Sequence, residues 1–314
     1  MNKIIISLLS LFALTNTFSK ETILPSVFSN NQIYLVPTLV DNTQITFFTD
    51  TGGGWNVISK ELHDKYRWAV ISKQTEDGEV TLSKMPQYSK GKAIPLGGIN
   101  NFMEGHLYIT EKDNLSISGN EDGFLGGRWH AEKIILFDYI DHKMSIFDTM
   151  SDVNVEQFDV IDLGFQKKDG KYTRAFPSIE IKILGVTLPM LFDTGATAKL
   201  SENAKTVLNS KDTLIGTSYV VASIFDKWKR NNPTWLVIDG ADELANESMI
   251  RVPQIQIGTR TVGPVWFTRR KDYNFHTFMS SMMDQKVEGA IGGSLLKYLR
   301  VIIDYPNEIA YISN

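Results

Sequence analysis

Asp50-Thr51-Gly52 and Asp193-Thr194-Gly195 are the residues of this chain whose types and setting could do chemistry. Each aspartate ends an apolar run, Phe47-Phe48-Thr49 in one place and Leu191-Phe192 in the other, and each is followed by a Thr-Gly turn. A single Asp-Thr-Gly is also an ordinary Asx-turn at a strand end. Two copies on one chain can bring two carboxylates face to face. Carboxyl groups about 3 Å apart cannot both ionise, so one keeps its proton as an acid while the other acts as a base. Such a pair can activate a water without a nucleophilic side chain, a metal or a cofactor.

A second pair of landmarks follows the first. Gly123-Phe124-Leu125-Gly126-Gly127 leads to Leu136-Phe137-Asp138-Tyr139, and Gly289-Ala290-Ile291-Gly292-Gly293 leads to Ile302-Ile303-Asp304-Tyr305. Twelve residues separate Gly126 from Asp138, and twelve separate Gly292 from Asp304. Matched spacing between two different landmarks indicates one structural unit used twice. Asp138 and Asp304 each sit inside an apolar strand before a tyrosine, a structural setting.

Each copy opens on a strand. Ile179, Ile181 and Ile183 alternate with Glu180 and Lys182, the period of a half-buried strand. Ser59 is placed to cap a helix over Lys60 to Tyr66, and Ser201 one over Glu202 to Leu208. Further short helices are expected at Trp129 to Lys133 and Leu295 to Tyr298. Asp50 and Gly126 are 76 residues apart, Asp193 and Gly292 99. The extra length is expected within Val207 to Asn246, as a substrate-covering excursion or as surface decoration. The halves meet in Thr149 to Lys171, where Lys167-Lys168-Asp169-Gly170 reads as a turn.

Composition bounds the rest. The chain has 314 residues, a net charge of −4 and no cysteine. That balance argues against a nucleic-acid surface, and disulfides, thiolate catalysis and Cys-ligated zinc are excluded. No His-Glu-x-x-His pair or Gly-x-Ser-x-Gly elbow occurs. At the N-terminus Lys3 precedes an apolar run from Ile4 to Leu14, followed by small residues with Thr17 and Ser19 at −3 and −1. This reads as a secretory signal over residues 1–19, with a buried first strand or helix as the alternative. No stretch is apolar enough to anchor the chain stably in a membrane, so the expected location is periplasmic or secreted.

The two Asp-Thr-Gly triplets, Phe124-Leu125-Gly126 and Ala290-Ile291-Gly292 resemble the pepsin/retropepsin-like aspartic proteases, with flanking phrases closest to bacterial retropepsin-like members. The resemblance covers roughly residues 32 to 313. It implies a mostly β, bilobal pepsin-like aspartic protease fold built from two retropepsin-like lobes, over 20–155 and 156–314. It implies an aspartic endopeptidase with Asp50 and Asp193 as the dyad, no cofactor, a protein or peptide substrate, and a monomer that completes its own site. The hydroxyls of Thr51 and Thr194 are expected to bond across to the opposite loop, Gly52 and Gly195 to allow close approach, and Leu125-Gly126 and Ile291-Gly292 to support the loops from beneath. Gly53 and Ala196 stand where pepsins usually carry Ser or Thr, which predicts a dyad that titrates higher. Flap positions are open: Tyr88, the hairpin around Asp77-Gly78, and a second around Asp239-Gly240, or plain surface turns. A catalytically silent protease-fold binding protein is the alternative.

Overall fold

The apolar phrases before the two aspartates form buried strands, Phe47–Thr49 and Val186–Phe192. Each runs antiparallel to the strand before it, Gln32–Leu35 and Ser178–Ile183. Each runs parallel to its second landmark. Thr49 lies beside Leu125, and Phe192 beside Ile291. A parallel pair cannot be closed by a tight turn and needs a long crossover. That requirement accounts for the long stretch between each Asp-Thr-Gly and its apolar-apolar-Gly. A computed structural model of the chain describes residues 21–75, 78–98, 100, 102–115, 120–151 and 153–314. The leader read at residues 1–19 and the flap candidate Asp77 lie outside the described residues.

The strand orders of the two halves correspond. In the first sheet the order is Ser26–Ser29, Gln32–Leu35, Phe47–Thr49, Gly123–Leu125, Asn56–Ser59, Leu107–Thr110, Gly78–Ser83, Val70–Thr75. In the second it is Arg260–Val262, Ile255–Ile257, Ser178–Ile183, Val186–Phe192, Gly289–Ile291, Ser218–Val221, Val265–Arg270, Glu247–Val252, Val237–Asp242. Even the parallel pairs match, Asn56–Ser59 with Leu107–Thr110 and Ser218–Val221 with Val265–Arg270.

The helices follow their caps. Helix α1, Lys60–Tyr66, begins where the Ser59 side chain accepts from Leu62 N. Helix α2, Gly127–His130, starts two residues before its expected position. Helix α3, Glu202–Leu208, is capped by Ser201, which accepts from Ala204 N. Helix α4 covers Ala222–Asn231, and α5 covers Gly293–Leu296, again two residues early. Both early starts fall on glycine, a poor helix former whose propensity hides the boundary. Crowding requires those glycines: a Cβ on Gly293 would stand 2.0 Å from Asn31 O, and one on Gly127 2.6 Å from Arg174 O.

The extra length begins earlier than expected. Four residues separate Gly52 from Asn56, but 23 separate Gly195 from Ser218. The inserted module is therefore Thr197–Lys199, α3 and Leu214–Gly216, two strands paired with each other around a helix. Its second half falls within Val207 to Asn246. Helix α4 takes the place of α1, and its Phe225 and Trp228 are core residues, with Trp228 edge-on to Phe267 at 5.5 Å. That segment is neither a cover for substrate nor decoration.

A third sheet joins the halves. Its order is Thr22–Ile23, Lys143–Phe147, Ile134–Asp138, Arg300–Asp304, Ile309–Ser313, Asp159–Asp162. Leu136 pairs with Ile302 at its centre. Asp138 accepts from Arg300 Nε and from two backbone amides, and Asp304 accepts from Asn307 N and Nδ2, so both are structural. One apolar core runs through both halves, with Phe137 and Phe192 rings 5.9 Å apart across the join. Among the described residues no helix is long and apolar enough to cross a membrane.

Candidate active site

Each Asp-Thr-Gly turn hangs from the apolar-apolar-Gly strand beside it. Asp50 N donates to Leu125 O and Asp193 N donates to Ile291 O, both at 2.9 Å. The next glycine of each landmark is held in turn. Gly126 N donates to Trp55 O at 3.0 Å and Asn56 Oδ1 at 3.1 Å, and Gly292 N donates to Ser218 Oγ at 3.0 Å. Asn56 and Ser218 open corresponding strands of the two sheets, so the support is repeated with different chemistry. A Cβ on Gly126 would lie 2.4 Å from Gly53 O, and one on Gly292 2.1 Å from Thr217 O. Leu125, Gly126, Ile291 and Gly292 thus lie beneath the turns, where the sequence places them.

The two turns are tied to each other by their threonines. Thr51 N donates to Thr194 Oγ1 at 3.1 Å, and Thr194 N donates to Thr51 Oγ1 at 3.0 Å. The hydroxyls donate onward, Thr51 to Phe192 O at 2.6 Å and Thr194 to Thr49 O at 3.1 Å. Every donor and acceptor of the pair is satisfied in a fully buried place, a network that specifies one geometry.

That lock brings the two aspartates together. Gly52 N donates to Asp50 Oδ1 at 2.8 Å, and Gly195 N donates to Asp193 Oδ1 at 2.9 Å. Each glycine also faces the opposite carboxyl. A Cβ on Gly195 would stand 2.2 Å from Asp50 Cγ, and one on Gly52 2.9 Å from Asp193 Cγ. The carboxyls are hydrogen-bonded to each other. Burial raises the Asp50 pKa above its usual value, against the pull of its bond to Asp193 and the amides of Gly52 and Gly53. Burial raises Asp193 further, reinforced by the charge of Asp50. Such a pair shares one proton.

Gly53 has a steric cause. A Cβ there would stand 2.4 Å from the Phe124 ring, so the side chain of Phe124 occupies the space a serine at 53 would need. The amides of Gly53 and Ala196 donate to the backbone carbonyls of Asp50 and Asp193, at 3.1 and 3.3 Å, and neither residue has a hydroxyl to offer the carboxyls.

A cleft of about 1250 Å³ opens beside Gly53. Gln74 and Val80, from the two strands of the hairpin Val70–Ser83, line it together with Gly53. Gly78 begins the second of those strands with φ +120°. Tyr88 does not overhang the cleft. It bridges to Leu39, whose amide bonds Thr43 O at the closed end of the hairpin leading into Asp50, and its ring packs on the core. Asp239-Gly240 is not a hairpin tip either. It is a bulge within Val237–Asp242, with Asp239 accepting from Lys229 Nζ and Ser248 Oγ on the outer face. The Asp-Gly pair that reads as a turn supplies the irregular backbone of a bulge instead, with Gly240 at φ +58°.

The sequence did not single out Trp55, Arg128 and Arg174, which line the cleft, or Tyr219, whose hydroxyl bonds Thr197 just past the second turn. The run of three glycines at 52–54 was the available signal, since it marks a place where backbone and side chains crowd.

No protein-family model matches the chain, and no curated protein does. Among solved structures the chain is similar to conglutin gamma, a basic 7S globulin from lupine seeds, and to basic 7S globulin from soybean. Each has a TM-score of 0.49 and 8% identity, covering 94% of this chain and 95% of that one. The fold is mostly β and two-lobed, with the two Asp-Thr-Gly turns meeting between the lobes.

Proposed function

We propose that the chain is an exported aspartic endopeptidase that hydrolyses peptide bonds by general acid/base activation of water between Asp50 and Asp193. The observation that carries this reading is the reciprocal threonine lock, which holds a partly exposed Asp50 and a buried Asp193 each against the opposite turn's glycine, next to a cleft that Gly53 lines. The ionised member of the pair takes a proton from the water. The protonated member hydrogen-bonds the carbonyl under attack, and the proton taken up at the dyad then passes to the leaving nitrogen. Both turns come from one chain, so a monomer suffices. Export rests on the basic and apolar start of the sequence, and N-terminal sequencing of secreted or periplasmic protein checks it.

Asp50→Ala and Asp193→Ala test the chemistry. Each should lower peptide cleavage by at least ~10²–10⁴-fold, the share that general acid/base catalysis contributes. Cleavage that survives either change sinks the reading.

A second reading keeps the same cleft for binding without turnover. It is favoured by the two positions, 53 and 196, that bring no hydroxyl to the carboxyls, and by the second half, whose Asp239-Gly240 bulge is no flap. Under it the wild type binds peptides and cuts none. The two solved structures named above are globulins by name, and a likeness at that level bears on neither reading.

A further inference from the structure

The cleft beside Asp50 has a charged wall that hydrolysis itself does not use. Three of its lining residues are cationic, Arg128, Lys168 and Arg174, and none of the described lining residues is acidic. The arginines come from different halves and flank Gly54. Arg128 Nη1 donates to Gly54 O and its guanidinium faces the Trp55 ring at 5.2 Å. Arg174 Cδ stands 3.8 Å from the Cβ position of Gly54. The Arg174 side chain is half-buried and makes no hydrogen bond or ion pair with a described residue. Lys168 stands exposed on the short hairpin Lys167–Tyr172, and its ammonium has no acidic partner among the described residues. Burial, with Arg174 close by, lowers the Arg128 pKa to about 10.

Arg174 and Lys168 have no acidic partner among the described residues, and a bound anion relieves the repulsion between such neighbouring cations. The aromatic residues Trp55, Phe102 and Tyr108 line the same space and fit an aliphatic stem. We infer that this wall is a specificity pocket for an acidic residue of a peptide, with the carboxylate held by Arg174, Lys168 at the rim, and the side-chain stem on Trp55. The inference deepens the peptidase reading, and it rests on that reading only where cleavage is concerned. Guanidinium–carboxylate recognition can be bidentate, which separates a carboxylate from its amide.

The test uses pools of N-acetylated octapeptides carrying Glu, Gln or Lys at each position in turn among neutral residues. C-terminal amide and free-acid forms separate a side-chain carboxylate from a terminal one. Cleavage is measured with the full chain, and binding with Asp193→Asn, which holds peptides without cutting them. The amidated Glu pool should exceed the Gln pool roughly tenfold in both assays, the weight of a charge-assisted hydrogen bond. Arg174→Gln should bring the two within about twofold, with circular dichroism and an unchanged Tm showing the fold intact. Arg174→Glu should shift preference to Lys, and Lys168→Gln should weaken the Glu preference partly. Selective binding of Glu peptides with no cleavage of any pool sinks the peptidase reading and leaves the pocket standing. Equal handling of Glu and Gln by the wild type, a preference only for the free-acid form, or a preference that survives Arg174→Gln overturns the pocket.

Discussion

Thr51 and Thr194 exchange hydrogen bonds, each hydroxyl accepting the other's backbone N–H at 3.0 and 3.1 Å. Thr51→Val keeps the shape and removes the acceptor for Thr194 N, leaving a buried amide unpaired at about 1–3 kcal/mol. Thr194→Val should cost a similar amount. Denaturant unfolding of each variant measures it, and the double variant should fall short of the sum because the two belong to one network. Strict additivity would mean the lock is not cooperative.

Gly195→Ala should abolish cleavage while leaving a largely folded protein. The new Cβ, built 2.2 Å from Asp50 Cγ, must push that carboxyl out of line with Asp193. The measurement is peptide turnover alongside circular dichroism. Wild-type turnover in this variant would show that the carboxyl alignment is not needed.

The raised values of both aspartates give a pH signature. Both carboxyls have folded pKa values above the ordinary 3.8. For such groups stability is fully present below the unfolded value and is lost as pH rises through the folded one. Asp193→Asn removes the carboxyl that burial penalises most. It should raise Tm at pH 7, roughly 1–4 °C for each kcal/mol relieved, and change it little at pH 3. Activity needs one proton on the pair, so the acid limb of the pH–rate profile should lie above 3.8. An acid limb below that value would contradict the burial argument.

Ser59→Ala and Ser201→Ala each delete a helix cap, at about 1 kcal/mol apiece. Neither helix touches the dyad, so kcat should hold for both. Thermal melts with parallel peptide assays separate stability from turnover, and a fall in kcat without a fall in Tm would assign the cap a functional role.

The sequence displays the duplicated landmarks and the two Ser-capped helices because both are local. Ser59 and Ser201 accept from the third residue onward, a pattern fixed by neighbours in the chain. It misled at the inserted module for the same reason. Ser201 resembles Ser59, yet the helix that replaces α1 in the sheet order is α4, which begins at Val221 with no side-chain cap and so leaves no local mark. Asp239-Gly240 carries the residues of a turn, but it falls inside a strand whose register against Glu247–Val252 shifts there, and that pairing is not written in its neighbours. Arg174 enters the cleft only because the second half folds against the first, and nothing in its immediate neighbours announces that.

The inserted module and the cationic wall each occur once, although the scaffold that carries them occurs twice. Two identical subunits related by a rotation axis would have to show every such feature on both sides, and a bound peptide could then lie in either sense. Here the approximate dyad is broken in the covalent chain itself. The trough therefore has a head and a tail, and a ligand threading it has one preferred polarity from amino to carboxyl end.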